Sequence, residues 1–167
     1  TGGVHIGGTD FDKQLSLQAV MPLFGYGSRM KSDALMPTSH HLNLATWHTI
    51  NAVYAAAAQR SLQSMRYDCV EPLGIDRLLK LIEQRGGHWL AMQVEESKIA
   101  LSGEDCRHID LSRIEPGLQA ELSRRLFEDA IEPLLIQGHL QAQAGQTNAA
   151  RTSFESALDK DPSNLAA

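Results

Sequence analysis

Val4-His5-Ile6-Gly7-Gly8-Thr9-Asp10-Phe11-Asp12 is the stretch on which the reading of the fold turns. A glycine pair running into Asp-Phe-Asp is a loop with a built-in helix start, because glycine permits backbone conformations closed to other residues. Asp10 is a good N-cap for a helix beginning near Phe11, with Asp10 and Asp12 as capping and first-turn charges. Leu15, Leu17, Val20, Met21 and Phe24 form one apolar face, so the helix is expected over residues 11–24. Gly25-Tyr26-Gly27-Ser28 ends it.

Beyond that turn, residues 29–43 are polar, contain Pro37 and read as a loop. The strongly helix-favouring run Ala55 to Ala58 sits inside an expected helix over residues 45–65. Pro72 and Gly74 punctuate before a helix over 75–84, and Gly86-Gly87 marks a break or kink. From residue 88 to 102 the helical pattern resumes, with Leu90, Val94 and Leu101 within about 40° of one another. Alternating Ile109, Leu111 and Leu118 predict short strands at 106–111 and 117–122, turning at Glu115-Pro116-Gly117. Ser123 then caps a helix from Arg124 to about Gln137.

Composition bounds the possibilities. The 167 residues suffice for one domain or a domain plus an appendage, at 43% apolar and 21% charged. A net charge of -5 gives no electrostatic case for nucleic acid or an anionic membrane surface. No apolar run approaches the roughly 20 residues that span a bilayer, so no membrane partner is expected. Two cysteines, Cys69 and Cys106, fit a reducing compartment, hence a cytoplasmic location.

Three motifs fall in a fixed order. Ile6-Gly7-Gly8-Thr9-Asp10-Phe11-Asp12 resembles the I-G-G-x-D-F-D segment of DnaK-type heat-shock chaperone ATPase domains. Glu95-Glu96-Ser97-Lys98-Ile99-Ala100-Leu101-Ser102 is similar to that family's E-x-x-K-x-x-L-S helix, and Leu122-Ser123-Arg124-Arg125-Leu126-Phe127-Glu128 to its [IL]-[ST]-R-x-x-F-E junction. The YegD-like branch fits best, through K-I-A-L-S and a long stretch like Met21 to Gly27; the match ends near Leu135. The chain opens in mid-motif and reads as a fragment, because in the family Gly7-Gly8 follow strands that carry phosphate loops.

The resemblance implies a helix-rich α+β fold, the upper subdomain of an actin-like ATPase lobe with a small antiparallel sheet, over residues 1–135. It implies a nucleotide-facing role that supplies adenosine contacts to ATP or ADP and is not catalytic by itself, with magnesium held only by the parent protein. Glu95 and Lys98 match family positions that address the ribose, and Ser102 one that hydrogen-bonds the adenine. At i, i+3 and i+7 these residues lie within about 60° on a helix. Spacing alone reads them as a solvated face with a Glu-Lys pair worth a few tenths of a kcal/mol. Where the family has arginine to stack on the base, this chain has Ile99, which offers no cation–π attraction.

The tail, residues 136–167, has a different pattern. Gly138, Gly145, Ala150, Phe154, Ala157, Leu158, Asp161 and Pro162 match a tetratricopeptide repeat, so a C-terminal helical hairpin is expected, turning at Gly145-Gln146-Thr147-Asn148-Ala149-Ala150. A lone unit exposes an apolar surface. The alternative function is therefore a protein–protein interaction module, binding a partner or self-associating through these helices. His40-His41 with His48 is the densest histidine group but lacks zinc-site spacing, and no G-x-S-x-G or phosphate-loop motif occurs.

Overall fold

A computed structural model describes residues 7–160 of the chain. The chain divides into two compact units at Ile131/Glu132, the first described unit being Gly7–Ile131. Its opening helix, α1 (Gly8–Leu15), passes into a wider π turn (Ser16–Val20) and a 3-10 turn (Met21–Phe24). Pro22 accounts for the change of winding, because without an N–H it cannot extend the i to i−4 ladder. The helix starts earlier than expected, at Gly8. Asp10 is not the N-cap but lies in the first turn, and its carboxylate accepts the Gly7 N–H at 2.9 Å.

Gly25, at φ +90, terminates the 3-10 turn in the left-handed region that favours glycine. Against it packs Gly74, where an added Cβ would lie 2.5 Å from the Gly25 nitrogen. Two glycines thus let α4 (Leu73–Glu83) dock its first turn directly on backbone. Ile75, Leu78, Leu81 and Ile82 then bury one face of α4.

Two expectations for the middle of the chain need correction. Residues 39–45 are not loop but a helix, α2 (Ser39–Ala45), and the single helix expected over 45–65 is a 3-10 segment (Trp47–Tyr54) followed by α3 (Ala56–Asp68). Thr46 and Ala55 take extended conformations that interrupt the winding. The Thr49 hydroxyl donates to the Asn43 and Thr46 carbonyls, at 3.1 and 3.0 Å, adding to the backbone bonds these carbonyls accept from the Thr46 and Thr49 N–H groups.

The break at Gly86-Gly87 is present and separates α4 from α5 (Gly87–Ala100). Strands β1 (Cys106–Asp110) and β2 (Gln119–Ser123) form the antiparallel pair, with Cys106 opposite Ser123 and Asp110 opposite Gln119. Ile109, Ala120 and Leu122 point into the core that also holds Leu15, Phe24, Ile50, Leu62 and Leu90. The connection between the strands is clamped to α4: Arg77 makes a paired contact with Glu115 at 2.6 and 3.0 Å, and Lys80 donates to the Ile114 carbonyl.

Ser123 caps α6 (Arg124–Lys160), its hydroxyl accepting the Leu126 N–H at 3.1 Å. The helical hairpin expected for the tail is not formed, because α6 runs unbroken through Gly138 and Gly145. Glycine costs a helix only about 1 kcal/mol, and the neighbours here, Gln137, Ala144 and Gln146 among them, are good helix formers. Thr147 and Thr152 turn their hydroxyls back to the Gln143 and Asn148 carbonyls, four residues earlier in the same helix, instead of capping a turn. The side chains of Ala150, Phe154, Ala157 and Leu158, and the closing Asp161-Pro162, lie outside the described residues.

His41 supplies a pH-sensitive element of this core. It is 1% exposed, its Nε2 donates to the Phe24 carbonyl at 3.0 Å, and its Nδ1 is buried without a partner. Burial pushes its pKa down, with neighbouring His40 adding to the effect against the opposing Phe24 bond. The folded state therefore holds His41 neutral, while the unfolded chain takes up a proton near pH 6.5. Its contribution is complete above that pH and is lost as pH falls. The urea midpoint should drop from about pH 7.5 to about pH 5.5, and His41→Gln, which keeps a donor for Phe24, should flatten the slope. An unchanged slope in the variant would show that His41 is not the group responsible.

Candidate functional site

The second half of α5 and the turn after it carry the three residues singled out by the sequence. Leu90, Val94 and Leu101 are buried, which turns the opposite side of the helix outward. Glu95 is exposed, as is Ile99, at 62%. Ser102 lies just past the C-cap Leu101, exposed, with its hydroxyl donating to the Ile99 carbonyl. Ser97, between them in sequence, faces inward and donates to the Gln93 carbonyl at 2.7 Å.

Lys98 is placed differently from its two neighbours. Its Nζ lies 2.7 Å from Asp12 Oδ1 and donates to the Gly8 carbonyl at 3.3 Å, tying α5 to the first turn of α1. Both side chains of the ion pair are only about a fifth exposed, at 18% and 20%. Burial raises the Asp12 pKa; Lys98 opposes that rise and Glu95 adds to it. Asp12 is thus more than a first-turn charge. It is the anchor of Lys98, and nothing local in the sequence pairs positions so far apart.

Between α1 and α5 lies a cleft of about 260 Å³. Met21, Leu44, Leu90 and Val94 make its floor, while Asp12, Ser16 and Glu95 supply polar groups. Trp47, half exposed, stands on its rim with its ring edge-on to His88 at a centroid distance of 5.1 Å. Lys98 and Ser102 do not line the cleft, and Ser102 lies beyond the end of α5, so the three sequence-predicted residues share neither one helix nor one cavity.

The histidine group does not converge. His40 bonds the Ser61 hydroxyl at 3.1 Å, His41 is buried against Phe24 and Tyr26, and His48 is exposed. Among the described residues no three His, Cys, Asp or Glu side chains gather as metal ligands, and no helix is long and apolar enough to cross a membrane. No protein-family model matches the chain, and neither a curated protein nor a solved structure shows significant similarity to it.

The Asp12–Lys98 pair makes a direct prediction. Lys98→Met should cost about 1–3 kcal/mol of stability, because it leaves a largely buried carboxylate without its partner. Adding Asp12→Asn to it should recover part of the loss, a non-additivity readable from denaturation curves of the single and double variants. Strict additivity would show that the pair has no coupling.

Proposed function

We propose that residues 7–131 are the nucleotide-facing subdomain of a DnaK-like molecular chaperone, touching the adenosine end of ATP or ADP. The observation that carries this reading is the exposure of Glu95 on α5 and of Ser102 in the turn that follows it, with the other face of the helix fixed in the core. A carboxylate suits the paired hydroxyls of a ribose, and a serine hydroxyl can both donate to and accept from a base edge. Exposed Ile99 offers the base an apolar surface in place of a stacked guanidinium. Lys98 contributes by holding α5 against α1, and reaching a nucleotide would mean sharing its ammonium with Asp12. Magnesium belongs with the phosphates and with parent segments; the donor set of residues 7–131 does not fit it, since no three ligating side chains converge among the described residues. The unpaired Cys69 and Cys106 support a reducing, cytoplasmic setting.

Half a cleft sustains only weak affinity, because it buries a minority of the ligand surface. ADP added to about 10 mM should shift the amide NMR signals of Glu95 and Ser102, adenosine should reproduce the shifts, and Ser102→Ala should weaken binding roughly three- to tenfold. Shifts confined to other elements, or an unaltered titration in the variant, would remove the assignment.

A second role is favoured by α6, where Leu135, Ile136 and Leu140 are each more than half exposed. Such apolar side chains on one helix support contact with another protein or with a second copy of the chain. Light scattering over a range of concentrations should show mass rising with concentration, and Leu135→Glu with Leu140→Glu should abolish the rise. A concentration-independent monomer would eliminate self-association.

A further inference from the structure

The cleft between α1 and α5 contains groups that adenosine recognition along Glu95 and Ser102 leaves unused. Ser16 is 5% exposed and lines the cavity with a hydroxyl that can both donate and accept. A polar group entering the cavity meets in that hydroxyl a partner to replace the water it leaves behind. Asp12 and Glu95 bring two carboxylates to the same cavity, and no cationic side chain lines it. Lys98 compensates Asp12 from behind the wall, which leaves the charge of Glu95 without a counter-ion in the cleft. The floor is aliphatic and the rim carries the half-exposed Trp47.

This combination selects among ligand chemistries. Anions, including phosphates, are repelled by the carboxylates. A bare metal ion would find no third ligand, and the aliphatic floor would strip its water without replacing it. A purely apolar molecule would leave Ser16 and the carboxylates unmatched. A cationic head on an apolar ring satisfies both halves, and one positive charge matches the single uncompensated negative one. The cleft is smaller than pockets that enclose drug-sized ligands, so it fits one ring with a short chain.

We propose that this cleft binds a small arylalkylamine, its ammonium at Asp12 and Glu95 with the Ser16 hydroxyl accepting a further N–H, and its ring on Met21, Leu90 and Val94 beside Trp47. An aromatic neighbour on the rim adds attraction for the cationic head. Burial and Glu95 both push the Asp12 carboxyl toward its neutral form, and an arriving ammonium would reverse that push. The site goes beyond adenosine contact, since it includes Glu95 but neither Lys98 nor Ser102.

The test is a calorimetric and tryptophan-fluorescence titration of the full chain with 2-phenylethylammonium, using 2-phenylethanol as the uncharged counterpart of the same shape. The amine should bind at least about fivefold more tightly than the alcohol, and Glu95→Gln should weaken it by about as much. Ala91→Phe should block binding by filling the wall; Glu95→Gln, at an exposed position, keeps the test decisive if the phenylalanine variant misfolds. Equal affinity for amine and alcohol, no effect of Glu95→Gln, or no binding at about 10 mM amine would each overturn the proposal. This titration reads the cleft through Glu95→Gln, whereas the ADP titration reads Ser102, which lies outside the cleft, so either reading can fall while the other stands.

Discussion

The first turn of α5 has no room for a side chain, and the arrangement of the unit depends on that constraint. A Cβ on Gly87 would come within 2.6 Å of Ile50 Cγ2 and 2.8 Å of the Tyr54 hydroxyl, which instead accepts the Gly87 N–H at 3.0 Å. The hydrogen bond fixes where the helix begins, and burial of Leu90, Val94 and Leu101 fixes its rotation. With start and rotation set, the outward direction of Glu95 follows without further design. The elements that surround α5, namely α1, α2, the 3-10 segment and β1, all pack on it, so the same constraint positions both walls of the cleft.

How much of this was legible in the sequence depends on the range of the interaction responsible. The helix break at Gly86-Gly87, the cap by Ser123, the strand pair and the buried face of α5 all follow from signals within a few residues, and all are present. The helix-rich α+β class was legible for the same reason. Where a side chain reaches across the fold, local pattern is silent. The polar stripe Glu95, Lys98, Ser102 reads as one surface, yet Lys98 is drawn to Asp12 in α1, distant in sequence. The cleft itself is a product of packing, assembled from α1, the 3-10 turn at Met21, α2, Trp47 and α5, and no periodicity encodes it.

The tail shows a different limit. Small residues at tetratricopeptide spacing describe two helices in contact, but they do not themselves force a turn. Gly145 is tolerated within α6, and threonine hydroxyls that could cap a new helix bond backwards along the old one. Repeat patterns are stabilised by neighbouring repeats, and a single copy lacks that support. Pro133 is likewise accommodated inside α6, where its missing N–H removes one rung of the ladder without ending the helix.

The two thiols differ in a way that has a practical use. Cys69 is buried and its sulfur donates to the Glu71 carbonyl at 3.2 Å, whereas Cys106, at the start of β1, is exposed. Alkylating reagents that require access should therefore mark a single position in the native protein. A fluorophore or spin label could then be placed at the edge of the sheet without altering any residue. Because Cys106 pairs across the sheet with Ser123, the residue that caps α6, such a label would report directly on the junction between strand and helix.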